Sequence, residues 1–184
     1  MKNKTAIIIG IYGQDGSYLA EFLIKKKYFV YGITNRIKKV DYFKKYKKNL
    51  KISKISINNF KSISTLIKKI SPDEIYHLGS QSYINHDFDA EFFRLNPNIN
   101  GTNFLLAAIK KFSPKTKFYF AGTSEIFGNV KEEPQNESTQ FNPRSAYGIS
   151  KLAGYHLTKN YREAYGIFAC SGILYNHESP RRGS

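Results

Sequence analysis

Thr5-Ala-Ile-Ile-Ile-Gly10-Ile-Tyr-Gly13-Gln-Asp-Gly16 is the stretch on which the fold turns. An apolar run of strand length stops at a glycine, two more glycines follow at intervals of three, and Ser17 to Lys26 then places Leu19, Phe22 and Leu23 at helical spacing. The pattern predicts strand, tight turn and helix, the context in which glycines point to a dinucleotide site. Glycines let the turn bend and a pyrophosphate approach, and the helix start offers free N–H groups and a partial positive charge to the phosphates. Gly10, Gly13, Gln14, Asp15 and Gly16 are the expected contacts; the alternative is a turn needed only for packing.

Outward from this unit the alternation continues. Tyr28 to Ile33 reads as a second strand, Ser53 to Ile57 as a weak third, and Phe60 to Ile70 as a helix. Asp73 to Leu78 is the expected fourth strand, Asn96 to Phe112 a helix, Lys117 to Ala121 the fifth strand, Ser145 to Tyr165 a long helix, and Phe168 to Leu174 the sixth strand. Alternating strands and helices predict an α/β fold with a doubly wound parallel sheet, whose ligands bind beyond the carboxyl ends of the strands. The 184 residues suit one domain spanning 1–184.

The composition narrows the classes. Hydrophobic residues at 41% and aromatics at 15% describe a folded globule, and a single cysteine, Cys170, excludes an internal disulfide framework and fits the cytoplasm. The first apolar run is too short for a membrane span. The net charge of +15 invites a nucleic-acid reading, and nine of the 29 Lys and Arg crowd into Arg36 to Lys54. No nucleic-acid-reading motif accompanies them, and attraction to anionic nucleotides is the safer inference.

Chemistry enters at Tyr147-Gly-Ile-Ser-Lys151. A spacing of four makes the phenol and the ammonium neighbours on one helical face. Lys151 is therefore expected to lower the pKa of Tyr147 and make the phenolate an accessible base near neutrality. A little over twenty residues upstream, Thr123-Ser124-Glu125 closes the fifth strand with a second acid/base set, more than a plain alcohol oxidation needs. Read without company, Tyr and Lys at this spacing are simply exposed helix residues. At the end of the second strand, where an NAD enzyme would place an acid, stands Thr34-Asn35-Arg36, and a cation there suits the extra phosphate of NADP. The alternative is a solvated Arg in a basic loop.

The glycine turn, Thr-Ser-Glu and Tyr-x-x-x-Lys, in this order, resemble the extended short-chain dehydrogenase/reductase superfamily. Longer blocks, among them Gly13 to Glu21, Glu74 to Ser82, Thr123 to Gly128, Pro143 to Gly148, Asn160 to Tyr165 and Gly172 to Gly183, resemble its GDP-mannose 4,6-dehydratase branch. The resemblance implies dehydration of GDP-mannose to a 4-keto-6-deoxy sugar nucleotide, with bound NADP and no net redox change. It implies Tyr147 as the base at the C4 hydroxyl, Glu125 as the base at C5, Thr123 as the aid to C6 hydroxyl loss and Lys151 as a holder of the nicotinamide ribose. It further implies Leu78, Ser80, His177 and Arg182 at the cofactor, and Ser82, Ser124, Asn176 and Glu178 at the sugar nucleotide. Ser124 is equally a capping hydroxyl. No metal ligand set is implied, and a homo-oligomer built on the helices of Asn98 to Phe112 and Ala146 to Tyr165 is.

Departures from the family pattern are Ile9 and Tyr12 at positions usually occupied by Thr, Asn35 for an Arg, Ser56 for an Asp, and Gly122 and Phe127 for a Ser and a Tyr. Tyr12 is expected to crowd the pyrophosphate. Family members continue beyond the Pro-Arg-Arg-Gly stretch, so the chain is expected to carry the cofactor part and all acid/base residues of a truncated dehydratase, with the guanine pocket and much of the substrate region missing. The rivals are a dehydratase or epimerase of another nucleotide sugar, a silent NADP-binding module, and a nucleic-acid binder.

Overall fold

A computed structural model describes residues 3–80 and 88–182. Six strands form one parallel sheet: β1 (Thr5–Ile9), β2 (Phe29–Thr34), β3 (Leu50–Lys54), β4 (Glu74–His77), β5 (Lys117–Ala121) and β6 (Ala169–Gly172), in the order β3-β2-β1-β4-β5-β6. The helices are α1 (Gln14–Lys25), α2 (Phe60–Ile70), α3 (Phe88–Phe112) and α4 (Ala146–Tyr165). This is the doubly wound, Rossmann-like α/β fold, and its strand order reverses between β1 and β4, which puts a ligand crevice at their carboxyl ends.

Alternation along β1 builds both layers. Ile7 and Ile9 join Ile33, Ile75, Phe118 and Phe120 in a core closed by Ile63 and Ile67 of α2 and Leu105, Leu106 and Ile109 of α3. Ala6 and Ile8 face the opposite way, onto Ala20 and Leu23 of α1 and Phe43 of the basic segment. In register, Ile9 of β1 lies between Ile33 and His77, so the ends of three strands arrive together at the glycine turn.

Three expected boundaries shift by three residues or more. The helix after the glycine turn begins at Gln14 rather than Ser17, because Gly13 already stands in an extended conformation as its N-cap. The third strand is Leu50–Lys54, not Ser53 to Ile57: Leu50 and Ile52 pack on the α1 side, whereas Ile55 and Ile57 lie past the strand end and pack on the opposite core. The third helix starts at Phe88 and carries Pro97 inside it. Phe60–Ile70 and Lys117–Ala121 stand where the sequence predicts them, and Ser145, the expected start of the long helix, is its N-cap, accepting the Gly148 N–H at 3.0 Å. Among the described residues no helix is long and apolar enough to cross a membrane.

Candidate active site

The turn between β1 and α1 is shaped by backbone contact. Gly10 adopts φ +86°, a conformation costly for any residue with a side chain. A Cβ on Gly16 would lie 2.2 Å from the Gly10 carbonyl oxygen, so the first turn of α1 can rest on the loop only as glycine. No side chain caps α1. Its leading N–H groups therefore point into the turn without a side-chain acceptor, which is what a phosphate needs. Beside the turn runs a cleft of about 300 Å³, lined among others by Gly10, Arg36, Ile55, Ile57, Ser80 and Asn98. Apolar walls, a cation at the rim and a glycine cradle suit a dinucleotide. Arg36 is exposed, its backbone tied to the Thr34 hydroxyl. Leu78 and Ser80 are half-buried just past β4.

Tyr12 directs its side chain to the α1-side core. Its ring lies 6.1 Å from Phe43, because the apolar basic-segment residues offer it a place to pack. Of the other departures, Ile9 is buried, while Asn35 and Ser56 are exposed.

The second part lies at the end of β5. The chain leaves β5 through Gly122 into a short 3₁₀ turn, Ser124–Ile126, with Thr123 as N-cap. Thr123 and Ser124 are half-buried and Glu125 is exposed. The start of α4 abuts this turn so closely that a Cβ on Gly148 would meet the Glu125 carbonyl oxygen at 2.8 Å. Tyr147 and Glu125 thus come from elements in direct contact. The Ser80 and Thr123 hydroxyls stand beside the Tyr147 phenol and favour its ionised form.

Lys151 lies beneath Tyr147, almost fully buried, its Nζ donating to the Ala121 carbonyl at 2.6 Å and sitting 5.8 Å from the centre of the Tyr147 ring. The expected depression of the Tyr147 pKa by Lys151 does not hold. Burial pushes the phenol above its ordinary value of 10.0, the hydrogen bonds from Ser80 and Thr123 pull it down, and the Glu125 carboxylate pushes it up. The ammonium is directed at a backbone carbonyl, and burial is the larger effect. Lys151 itself is lowered to about 8 by burial.

Sequence reasoning missed two supports of this corner. Asn98 of α3 donates to the Ser150 hydroxyl at 3.2 Å, and Ser150 donates to the Tyr147 carbonyl at 2.8 Å, which ties the Tyr147 turn of α4 to α3. A polar residue in the buried stripe of a helix was the available signal. His77, fully buried against Phe118 and Phe120, has its pKa lowered to about 3 by burial and then by Lys151, and its Nδ1 has no partner among the described residues. It is a neutral imidazole beneath the site.

Beyond β6 the chain returns across α1. His177 Nε2 lies 2.7 Å from an Asp15 carboxylate oxygen, the Gln14 side chain donates to the His177 carbonyl at 3.1 Å, and Arg182 pairs with Glu178 and donates to that same carbonyl. The expected cofactor residues Gln14, Asp15, His177 and Arg182 are thus one cluster. Asn176 is exposed beside it, and Ser82 lies outside the described residues.

A family model described as GDP-mannose 4,6 dehydratase matches residues 7–184. The GDP-mannose 4,6-dehydratase of Vibrio cholerae serotype O1 is 45% identical over 100% of this chain and 52% of its own length; that of Dictyostelium discoideum is 44% identical over 99% and 55%, and that of Homo sapiens 43% over 98% and 52%. The chain spans about half the length of these curated relatives. Among solved structures, the Bordetella bronchiseptica enzyme WbmH in complex with NAD+ superposes with a TM-score of 0.82 at 27% identity, over 100% of this chain and 60% of that one. A Bacillus anthracis dTDP-glucose 4,6-dehydratase in complex with NAD shares the fold, with a TM-score of 0.81 at 20% identity over 97% of this chain and 57% of that one.

Proposed function

Because the chain belongs to the GDP-mannose 4,6-dehydratase family, we propose that it forms the cofactor-binding and acid/base part of an NADP-dependent lyase converting GDP-mannose to GDP-4-keto-6-deoxymannose and water. The observation that carries this reading is the corner where the Tyr147 phenol meets Ser80 and Thr123 while Glu125 projects from the adjoining turn. One base serves alcohol oxidation; a second base next to it serves elimination.

The glycine turn, Leu78, Ser80 and Lys151 would hold a nicotinamide in the cleft, and that group would supply reversible hydride transfer at the sugar. Tyr147 receives the C4 hydroxyl proton; burial raises its pKa, and the Ser80 and Thr123 hydroxyls beside it offset part of that rise. Ketone formation acidifies the C5 proton, and the exposed Glu125 carboxylate removes it. Thr123 Oγ1 accepts the Glu125 N–H at 3.4 Å, which fixes the hydroxyl at the corner where the C6 hydroxyl would depart. Lys151, fixed on the Ala121 carbonyl, holds the nicotinamide ribose. His177 and Arg182 border the cofactor, and Ser124, Asn176, Glu178 and Ser82 the sugar nucleotide.

NADP is favoured over NAD by Arg36, which lines the cleft just past β2 where an acid would meet a free ribose. The proposal includes a single cofactor domain over residues 1–184, a homo-oligomer using α3 and α4, and a reducing cytoplasmic setting for Cys170.

The test is incubation of the 184-residue protein with NADP and GDP-mannose, with an NADP titration on the same sample. Formation of the 4-keto-6-deoxy product, lost in Glu125→Gln, establishes the reading. NADP binding without product reduces it to a cofactor module, and absence of both rejects it.

A further inference from the structure

The Pro180-Arg181-Arg182 stretch contains one arginine that the proposed chemistry does not use. Arg181 turns back onto α1, where its guanidinium donates to a Glu21 carboxylate oxygen at 3.0 Å and to the Ser17 hydroxyl at 3.3 Å. Its Cζ lies 4.2 Å from the centre of the Tyr18 ring and 4.3 Å from that of Tyr42. The side chains of Arg181 and Glu21 are only 20% and 15% exposed, so both charges have given up water for this contact. A planar cation stacked on two aromatic faces and paired at its edge has one orientation, which a lysine cannot reproduce.

The position of this contact gives it a consequence. Ser17, Tyr18 and Glu21 belong to α1, Tyr42 to the basic segment that follows β2, and Arg181 to the chain beyond β6. One side chain therefore joins three stretches that surround the glycine turn. Four residues before it, His177 meets Asp15 and receives Gln14, and one residue after it Arg182 meets Glu178. The contacts between the returning chain and the first turn of α1 all lie within a few residues of the Arg181 anchor.

We propose that Arg181 is a positioning residue: clasped between Tyr18 and Tyr42 and paired with Glu21, it holds the 175–182 segment, with His177 and Arg182, against the phosphate-binding turn and so sets the affinity for the dinucleotide. The affinity part of this inference rests on the proposed cofactor role; the clasp does not. Arg181 touches neither the turn nor the acid/base corner, so its loss should weaken cofactor binding without changing the chemistry at Tyr147 and Glu125.

The experiment measures NADP dissociation constants, amide hydrogen exchange and melting temperature for the 184-residue protein, Arg181→Ala, Arg181→Lys and Tyr18→Leu. Arg181→Ala should speed exchange of the 177–182 amides about tenfold and weaken NADP binding about tenfold, with exchange in β4 and β5 unchanged. Arg181→Lys should fall between, since it keeps a charge for Glu21 and loses the two-sided stack. Tyr18→Leu, at a more exposed position, should reproduce part of both effects and serves if Arg181→Ala does not fold. Unchanged exchange at 177–182 overturns the clasp. Faster exchange with unchanged NADP affinity overturns the positioning role. If the unsubstituted protein fails to bind NADP, the cofactor reading and the affinity role fall together, and exchange alone decides the clasp.

Discussion

The turn between β1 and α1 is built from what side chains leave out, and the corner between β5 and α4 from what they bring in. At the turn, the Gly10 backbone and the close seat of Gly16 expose uncapped N–H groups. At the corner, Ser80, Thr123, Tyr147 and Lys151 are half-buried or buried, and their protonation follows from burial and from individual hydrogen bonds. The first is a shape suited to binding, whereas the second is a set of titrating groups suited to proton transfer. Substitutions should therefore divide: damage at the turn lowers binding and stability together, and loss of Glu125 or Tyr147 at the corner lowers turnover alone.

The largest effect belongs to the corner. Glu125→Gln and Tyr147→Phe should each reduce product formation by about 10²–10⁴-fold, the usual contribution of a positioned acid or base. NADP affinity and melting temperature should stay near those of the unsubstituted protein. Loss of cofactor affinity in Glu125→Gln would break the comparison, because it would make the exposed carboxylate part of the binding shape.

Gly16→Ala tests the other half. The added Cβ would lie 2.2 Å from the Gly10 carbonyl oxygen, so helix and turn must separate. Such overpacking costs about 1–3 kcal/mol. Thermal unfolding and an NADP titration should both show the loss. A variant with normal stability and weak NADP binding would show that the turn yields locally, and would sharpen its role to phosphate contact only.

These two regions were also unequally legible in the sequence. The glycine turn was readable because its mechanism is a residue type at a spacing: Gly10, Gly13 and Gly16 between an apolar run and a helical pattern leave few structural alternatives. Tyr147, Lys151, Thr123 and Glu125 were readable as residues, and their proximity followed from the strand order. Their electrostatics were not. Helical spacing puts Lys151 near Tyr147, but that Lys151 donates to the Ala121 carbonyl depends on β5 running beneath α4, a contact between residues 30 positions apart. The clasp of Arg181 on Glu21 spans 160 positions and has no local signature. β3 was misplaced because Leu50-Lys-Ile52 reads as part of a lysine-rich loop until Phe43 and Tyr12 supply the apolar surface it faces.

Buried Lys151 gives the next effect. Its folded pKa, lowered to about 8, lies below the ordinary 10.5, so between these values the unfolded chain binds more protons than the folded one and stability rises with pH. Below the folded value the penalty for burying the ammonium is fully present. Comparing the unsubstituted protein with Lys151→Met, stability of the former should gain on the latter by about 2 kcal/mol between about pH 8 and 9.5. A parallel pair of pH curves would place Lys151 in contact with water and remove burial as the cause.

The smallest effect runs in the opposite direction, at the turn. His177 has its pKa raised above 6.5, first by its hydrogen bond to Asp15, then by that to the Tyr175 carbonyl and by the charge of Asp15. A raised folded pKa on a base gives stability that is fully present below the unfolded value and is lost as pH rises through the folded one. The pair is about half exposed, so solvent and salt screen it, and the gain is confined to the contact between the returning chain and α1. The sensitive measurement is amide exchange of the 177–182 segment against pH in low salt. Protection should fall as pH rises from below 6.5 through the folded value, and His177→Gln should flatten the profile. Lys151 and His177 thus give the two regions pH responses of opposite sign, and protection at 177–182 that rises with pH would mean that the Asp15 contact does not hold this segment against the turn.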